Sequence, residues 1–360
     1  MASIEKTTTG TGEVRYVVRY RDLNRRSREK WFNRMVDAKA YRSQVESDIR
    51  RGTWTDPRAG DITLEEWSLT WMESKRHLTP KTLAGYRSLL DVDVIPPLGR
   101  RSISSIRPED VGSWISSLKA KGLSASRVRQ AHRVLSGMLG LAHAYGRISR
   151  NPASVQGVKQ AIPSPREKEM RFLAIGEVVA LSKVVPDQYE ALILVLGIGG
   201  LRFGEAVAMR RRRVDMLGSR LHVAESATEV GGRLVFGATK SGKERWVDIP
   251  RFVTESLSRR MKDRVDEGDA LVFTTPQGSP LRNSNFRHRI WKPAIDLLGI
   301  DRRTRLHDLR HTAVSIMVLN GAPITLVQRQ MATPQSLRPN ATPTFIRVRA
   351  WSFRSESTVD

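Results

Sequence analysis

The chain has 360 residues and carries 61 Lys+Arg against 37 Asp+Glu, a formal charge of +24. That length fits two or three domains, and a hydrophobic fraction of 39% is enough for real cores, which excludes wholesale disorder. So large a positive excess points to a polyanion, nucleic acid or an anionic membrane surface.

The membrane reading is weak. The longest apolar run, residues 191–198, falls far short of the roughly 18–20 residues that span a bilayer. Residues 1–10 are polar and lack the apolar core of a signal peptide. Without cysteine there is no disulfide, thiol nucleophile or thiolate metal site, and the redox compartment stays open. The expectation is a cytoplasmic, nucleoid-associated protein whose partner is double-stranded DNA.

Residues 1–57 read as a small β-rich module. Val14, Tyr16 and Val18 alternate with polar neighbours in GEVRYVVRYRD, the period of a half-buried strand. Residues 22–26 turn, Lys30-Trp31-Phe32 offers a second short strand, and a helix runs from about 37 to 50, ending near Gly52. Arg15, Arg19, Arg21, Arg25, Arg26 and Arg28 crowd this sheet. They make either a solvated basic face or a DNA-binding one, since strands can enter a major groove.

Residues 61–155 read as all-helical. Thr63 is an N-cap with Glu66 three residues on, and Leu64, Trp67, Trp71 and Met72 follow at helical spacing. Thr79-Pro80 opens a second helix through Tyr86, Leu89 and Leu90, which Pro96-Pro97-Leu98-Gly99 should break. Pro108 starts a third through Val111, Trp114, Ile115 and Leu118. Ser124 caps a fourth, through Val128, Leu135, Met138 and Leu141 to Gly146. The apolar spacing of the tryptophans puts them in a core rather than on a base-stacking platform.

Residues 156–170, with prolines and charges, read as a linker. From Arg171 the pattern is mainly helical with a small antiparallel sheet. Helices are expected at 175–182, 189–197 (buried), 254–264, 283–298 and 306–319, and strands at 221–224, 234–239 and 245–249. The fold class is therefore α+β and multidomain: a small sheet plus helix, an all-α domain, and a mainly α domain with its own sheet.

Three local signals in this last region could carry chemistry. GIGGLRFGE sets Arg202 beside flexible glycines with Glu205 one helical turn on; alone, it reads as a surface ion pair. In ATKSGKERWVDIP, Ser241-Gly242 suggests a tight turn with Lys240 at a hairpin tip, and exposed hairpin lysines are ordinary. In LHDLRHT, His307 and Arg310 share a helix face with His311 beside them, as in many surface ion networks. No carboxylate or cysteine cluster completes a metal site, so no metal or other cofactor is expected. The run Arg210, Arg211, Arg212 and Arg213 suits DNA phosphate contact or a solvated face better than chemistry.

Two arginines, a histidine and a lysine without metal ligands suit a phosphodiester. Arginine binds phosphate bidentately and stays charged, preorganised cations stabilise the pentavalent transition state, and a lysine can protonate a leaving alkoxide. The ordered set of Arg202 in GLRFGE, Lys240 in TKSGKER, and His307 and Arg310 in HDLRHT resembles the catalytic domain of tyrosine recombinases, the phage integrases. The resemblance extends over nearly the whole chain: 1–57 is similar to an arm-site module, 61–155 to a core-site DNA-binding domain, and 171–331 to the catalytic domain. It implies site-specific recombination at attachment sites through a phosphotyrosine intermediate, by a homotetramer on DNA. It also implies that the two domains after the arm module clamp duplex DNA. Arg202, His307 and Arg310 would surround the scissile phosphate, Lys240 would protonate the 5′ oxygen, and Glu205 and His311 would support them.

The family also needs a histidine or tryptophan in a Gly-His-like motif and a tyrosine nine residues beyond. All six tyrosines, at 16, 20, 41, 86, 145 and 189, precede Arg202. After ITLVQRQM, apolar periodicity stops at Met331, and Pro334, Pro339 and Pro343 forbid the expected helix, so 332–360 reads as an aberrant, disordered tail. Restoring one base after the Met331 codon permits GHASITTTQRYAHLYPSE in the neighbouring frame, with the tyrosine over Thr342. Free third bases flatter that match. Met331 with Ala332 nonetheless forces glycine, and Asn340 with Ala341 allows only arginine or cysteine. A one-base deletion is the favoured reading and a natural divergent tail the other; either way cleavage is expected to be defective and the tetramer weakened. A non-catalytic protein occupying attachment sites is the alternative function, and a type IB topoisomerase-like enzyme fits the arm-like start less well.

Overall fold

The computed structural model describes residues 2–8, 13–23, 25–52, 54, 56, 59–164, 171–240, 242–262 and 268–331. The tail reading for 332–360, Thr342 included, lies outside them. The chain divides into two compact units, 1–168 and 169–360.

The first unit begins with an antiparallel sheet in the order β1 (Ser3–Thr8), β2 (Val14–Arg21), β3 (Ser27–Phe32), followed by helix α1 (Met35–Arg50). Strand β1 escapes the sequence reading because Ile4 is its only apolar residue. Val18 and Tyr20 pack with Ala38 and Val45 of α1. The alternation is less clean than expected. Val14 is largely exposed at the strand's start, while Val17, on the opposite face and paired with Trp31 across the ladder, is fully buried. At the expected turn, Arg25 has φ 60° and its N–H bonds to the Asp22 carbonyl at 2.9 Å, while the Asp22 N–H bonds to the Arg26 carbonyl at 2.9 Å.

The helical remainder comprises α2 (Leu64–Glu73), α3 (Pro80–Leu89), α4 (Ile95–Leu98), α5 (Pro108–Ala120), α6 (Ala125–Ala144) and α7 (Gln156–Ala161). Thr63 and Glu66 form a reciprocal capping box: the Glu66 N–H donates to Thr63 Oγ1 at 3.2 Å and the Thr63 N–H to Glu66 Oε2 at 3.0 Å. Trp67, Trp71 and Trp114 are all core residues. Trp67 Nε1 donates to the Met138 carbonyl at 2.9 Å and Trp114 Nε1 to that of Asp93 at 2.8 Å, so burial leaves neither N–H unpaired.

Two expectations here need correction. The second helical run does stop at Leu98-Gly99, as expected, but Pro96-Pro97 do not interrupt it. A π turn over Leu90–Val94 lets the Ile95 N–H reach the Leu90 carbonyl, and both prolines then occupy first-turn positions of α4, where an N–H is dispensable. The linker also starts later than residue 156, because α7 packs Val158 into the helical core.

The second unit contains α8 (Ile175–Val184), α9 (Glu190–Gly197), α10 (Phe203–Val207), α11 (Arg251–Lys262), α12 (Asn283–Phe286), α13 (Lys292–Leu297), α14 (Leu306–Leu319) and α15 (Ile324–Met331). Helix α9 is apolar all round and buried from Ala191 to Gly197, and α8, α11 and α14 pack on it. A second π turn, Arg287–Trp291, joins α12 to α13. Strands β4 (Val214–Asp215), β5 (Arg220–Val223) and β8 (Arg245–Asp248) form one antiparallel sheet, and β6 (Glu225–Val230) pairs with β7 (Arg233–Ala238) in a separate hairpin.

That pairing corrects the position of Lys240. The hairpin closes at Gly231-Gly232, both at positive φ as a type I′ turn requires. β7 and β8 belong to different sheets, so residues 239–244 connect them rather than forming a hairpin tip. Among the described residues, no helix is long and apolar enough to cross a membrane.

Candidate active site

Arg202 is the N-cap of α10. Its backbone N–H and Nη1 both donate to Glu205, at 3.0 and 2.9 Å, so the LRFGE spacing folds the arginine back onto its own helix turn. Gly204 lets this turn lie against the hairpin, since a Cβ there would meet the Ala227 carbonyl at 2.4 Å. Glu205 is 1% exposed.

The surface ion pair that GLRFGE suggests in isolation is therefore only its outer half. From the first position of β8, Arg245 forks onto the same buried carboxylate, Nη1 to Oε1 at 3.2 Å and Nη2 to Oε2 at 2.7 Å. Its Nε donates to the Gln330 carbonyl in α15 at 2.6 Å. Arg310 of α14, also buried, brings Nη1 to 3.9 Å from Glu205 and donates to the backbone carbonyls of Gly200 and Met331. Gly200 sits at φ +69°, and a Cβ on it would collide with the Met331 side chain.

Three guanidiniums thus converge on one carboxylate. Burial raises the Glu205 carboxyl, but hydrogen bonds from Arg245 and then Arg202 outweigh this and hold it below the ordinary range. Burial, then the Arg202 charge, pushes Arg310 down to about 10, which still leaves it protonated at neutral pH. The surplus of two positive charges, in a partly water-excluded setting, makes the cluster receptive to an anion.

His307 lies on the outward side of α14, its ring edge-on to His311 at 5.0 Å. Partial desolvation, then His311, Arg310 and Arg202, lower its pKa, so the imidazole is neutral at pH 7 and can exchange a proton. His311 is lowered as well, first by burial. Asp308 anchors the start of α14 on Arg305, whose N–H donates to it at 2.7 Å. Arg202, Glu205, His307, Arg310 and His311 therefore stand together. Lys240 is exposed on the β7–β8 connection, and no hydrogen bond or ion pair ties it to the cluster among the described residues. Sequence reasoning missed Arg245; its place two residues before the inward Val247 on a short strand was the available signal.

The other arginines separate into two groups. Arg210 and Arg213 share Glu225 at 3.2 and 3.3 Å. Arg211 Nη2 donates to the Met261 carbonyl at 2.9 Å, and Arg212 pairs with Asp269 at 2.8 Å. This run knits the sheet to α11 and residues 268–272, with Arg212 its exposed member. In the N-terminal sheet, Arg28 is structural, tied to buried Asp22 at 3.0 Å and to Asp56 at 2.7 Å. Arg15 and Arg19 pair with exposed glutamates. Arg21, Arg25 and Arg26 are exposed, without ion pairs among the described residues. Among those residues, no group of three His, Cys, Asp or Glu could hold a metal.

Comparison with known proteins adds an independent line. Residues 171–333 match the profile described as the phage integrase family, and residues 64–157 that of the phage integrase central domain. The integrase of Mycobacterium phage L5 is 27% identical over 304 residues, spanning 81% of this chain and 79% of that protein. The putative prophage phiRv2 integrase of Mycobacterium tuberculosis is 25% identical over 309 residues, spanning 83% and 80%. Among solved structures, the Tn1549 transposon integrase in complex with a circular intermediate DNA superposes with a TM-score of 0.67 at 17% identity, over 76% of this chain and 92% of that one. A lambda integrase dimer bound to a core site gives 0.60 at 15% identity, over 96% and 97%. At such identities the structural likeness speaks for the fold.

Proposed function

The chain belongs to the phage integrase family of tyrosine recombinases, and on that footing we propose that its arginine cluster grips the phosphodiester of an attachment site. The family's activity is site-specific cleavage and rejoining of DNA. The observation that carries the assignment to these residues is the buried Glu205 holding Arg202 and Arg245 with Arg310 alongside.

In this reading Arg202 and Arg310 take the nonbridging oxygens and stabilise the charge that builds there. Among the described residues, the outer edge of Arg202 has no partner and is open for this. Arg310 offers its remaining N–H groups, because one on each terminal nitrogen already serves a backbone carbonyl. Neutral His307 handles a proton at the phosphate, and Lys240, with room to move on its exposed connection, protonates the leaving 5′ oxygen. Residues 1–57 act as an arm-site module through Arg15, Arg19, Arg21, Arg25 and Arg26, and 61–155 as the core-site domain. A homotetramer assembles on DNA, weakened here because the terminal segment has lost the apolar pattern that would dock on a neighbour.

No tyrosine is available to attack phosphorus. The last, Tyr189, is buried edge-on against Phe286. The family match ends at residue 333, two residues past Met331, which supports a lost base at that codon. The protein therefore binds its site and stops before covalent chemistry. The missing tyrosine equally favours a second reading, a non-catalytic occupant of attachment sites. Incubation with nicked duplex selected by binding tests both: binding without an adduct is expected of either, absence of binding would overturn both, and an adduct gained only after one base is restored behind the Met331 codon separates the first from the second.

A further inference from the structure

We propose that Arg245 is a positioning residue, which orients Arg202 through Glu205 and clamps the last turn of α15 to the same carboxylate. Its three contacts run in two directions. The Nη1/Nη2 edge takes both oxygens of Glu205, and Nε takes the Gln330 carbonyl. Each Glu205 oxygen is also used by Arg202, Oε1 by its Nη1 and Oε2 by its backbone N–H. With both oxygens fixed from behind, the Arg202 side chain has one geometry in which it keeps its bond to Oε1, and its outer edge then faces solvent.

Nε acts on the backbone of α15. Two of its carbonyls, those of Gln330 and Met331, accept from Arg245 and Arg310. Gln330 strengthens the joint by donating Nε2 to Asp248 Oδ2 at 3.0 Å, three residues along from Arg245 on β8. The end of α15 at Gln330 is thereby registered against Arg202 by one side chain. A lysine at 245 would keep the charge yet could not span Glu205 and Gln330 together, because a point charge lacks the planar fork.

This inference rests on reading Arg202 as a phosphate ligand, but the test of the clamp needs no DNA cleavage. In the full chain, Arg245→Lys is compared with the parent and with Arg213→Lys, a half-buried arginine bonded to Glu225 instead. Two readouts are taken: amide exchange over residues 324–331, and phenylglyoxal labelling of Arg202 by peptide mass spectrometry. Arg245→Lys should speed exchange roughly ten- to a hundredfold and label Arg202 faster, while Arg213→Lys changes neither. Glu205→Asp, one methylene shorter, should move both readouts together and serves if Arg245→Lys does not fold. A folded variant of either kind with parental exchange and labelling overturns the proposal, as does a change in one readout alone. Unchanged affinity of Arg202→Ala for nicked duplex would instead remove the phosphate reading and leave the clamp standing.

Discussion

Glu205→Gln removes one negative charge from a site where three guanidiniums face it, and the side chain is 1% exposed. Breaking a buried ion pair from one side costs about 3–5 kcal/mol, because the partners keep their desolvation penalty without compensation. The glutamine amide also turns an N–H toward cations, so the upper part of that range applies. In a unit of this size each kcal/mol moves the melting point by about 2–4 °C, which gives a loss on the order of 10 °C. The control is Glu255→Gln, whose exposed partner Arg251 lies at 3.1 Å and which should cost at most about 0.5 kcal/mol. Exchange-monitored urea unfolding, read on peptides of residues 171–331, isolates the unit concerned. Because Glu205 is held below its ordinary value of 4.5, its contribution is present above that pH and fades as pH falls through the folded value. The gap between parent and Glu205→Gln should therefore narrow below about pH 4.5. Equal shifts for the two variants, or a gap that widens in acid, would refute the reasoning.

Duplex DNA affinity should fall steeply with salt, each neutralised phosphate adding about 0.9 to the log–log slope; a flat series would contradict a phosphate-driven interface. Arg21→Ala should lower that slope by about 1 without changing stability, whereas Arg28→Ala should destabilise the N-terminal sheet by losing Asp22 and Asp56. Thr63→Ala should cost about 1 kcal/mol by opening the capping box, measured by denaturation of residues 59–164.

Much of the fold is legible because its signals are local. Thr63 with Glu66, Thr79-Pro80, Pro108 and Ser124 each mark a helix start that the structure contains, and LHDLRHT opens a helix from Leu306 to Leu319 as its periodicity implies. What escapes depends on partners distant in sequence. Pairing of β7 with β6 is decided by Gly231-Gly232, and the competing Ser241-Gly242 turn merely links two sheets. Burial of Arg245 becomes visible only once Glu205 and Gln330 are beside it, 40 and 85 residues away. The acceptors of the Arg210–Arg213 run, Glu225, the Met261 carbonyl and Asp269, lie on later elements, so its internal pairing was not legible either.

The central claim is that Arg202, Glu205, Arg245, His307 and Arg310 form a phosphodiester site that lacks its nucleophile and the Gly-His-like histidine. The direct measurement is covalent trapping on a nicked suicide duplex, selected by binding from a random pool, with the chain as given and with one base restored after the Met331 codon. The account predicts no adduct from the first and, from the second, a 3′-phosphotyrosyl adduct at position 342 that Arg202→Ala or Arg310→Ala abolishes. An adduct on any of the six tyrosines of the present chain, or none from the restored chain despite binding, would contradict it.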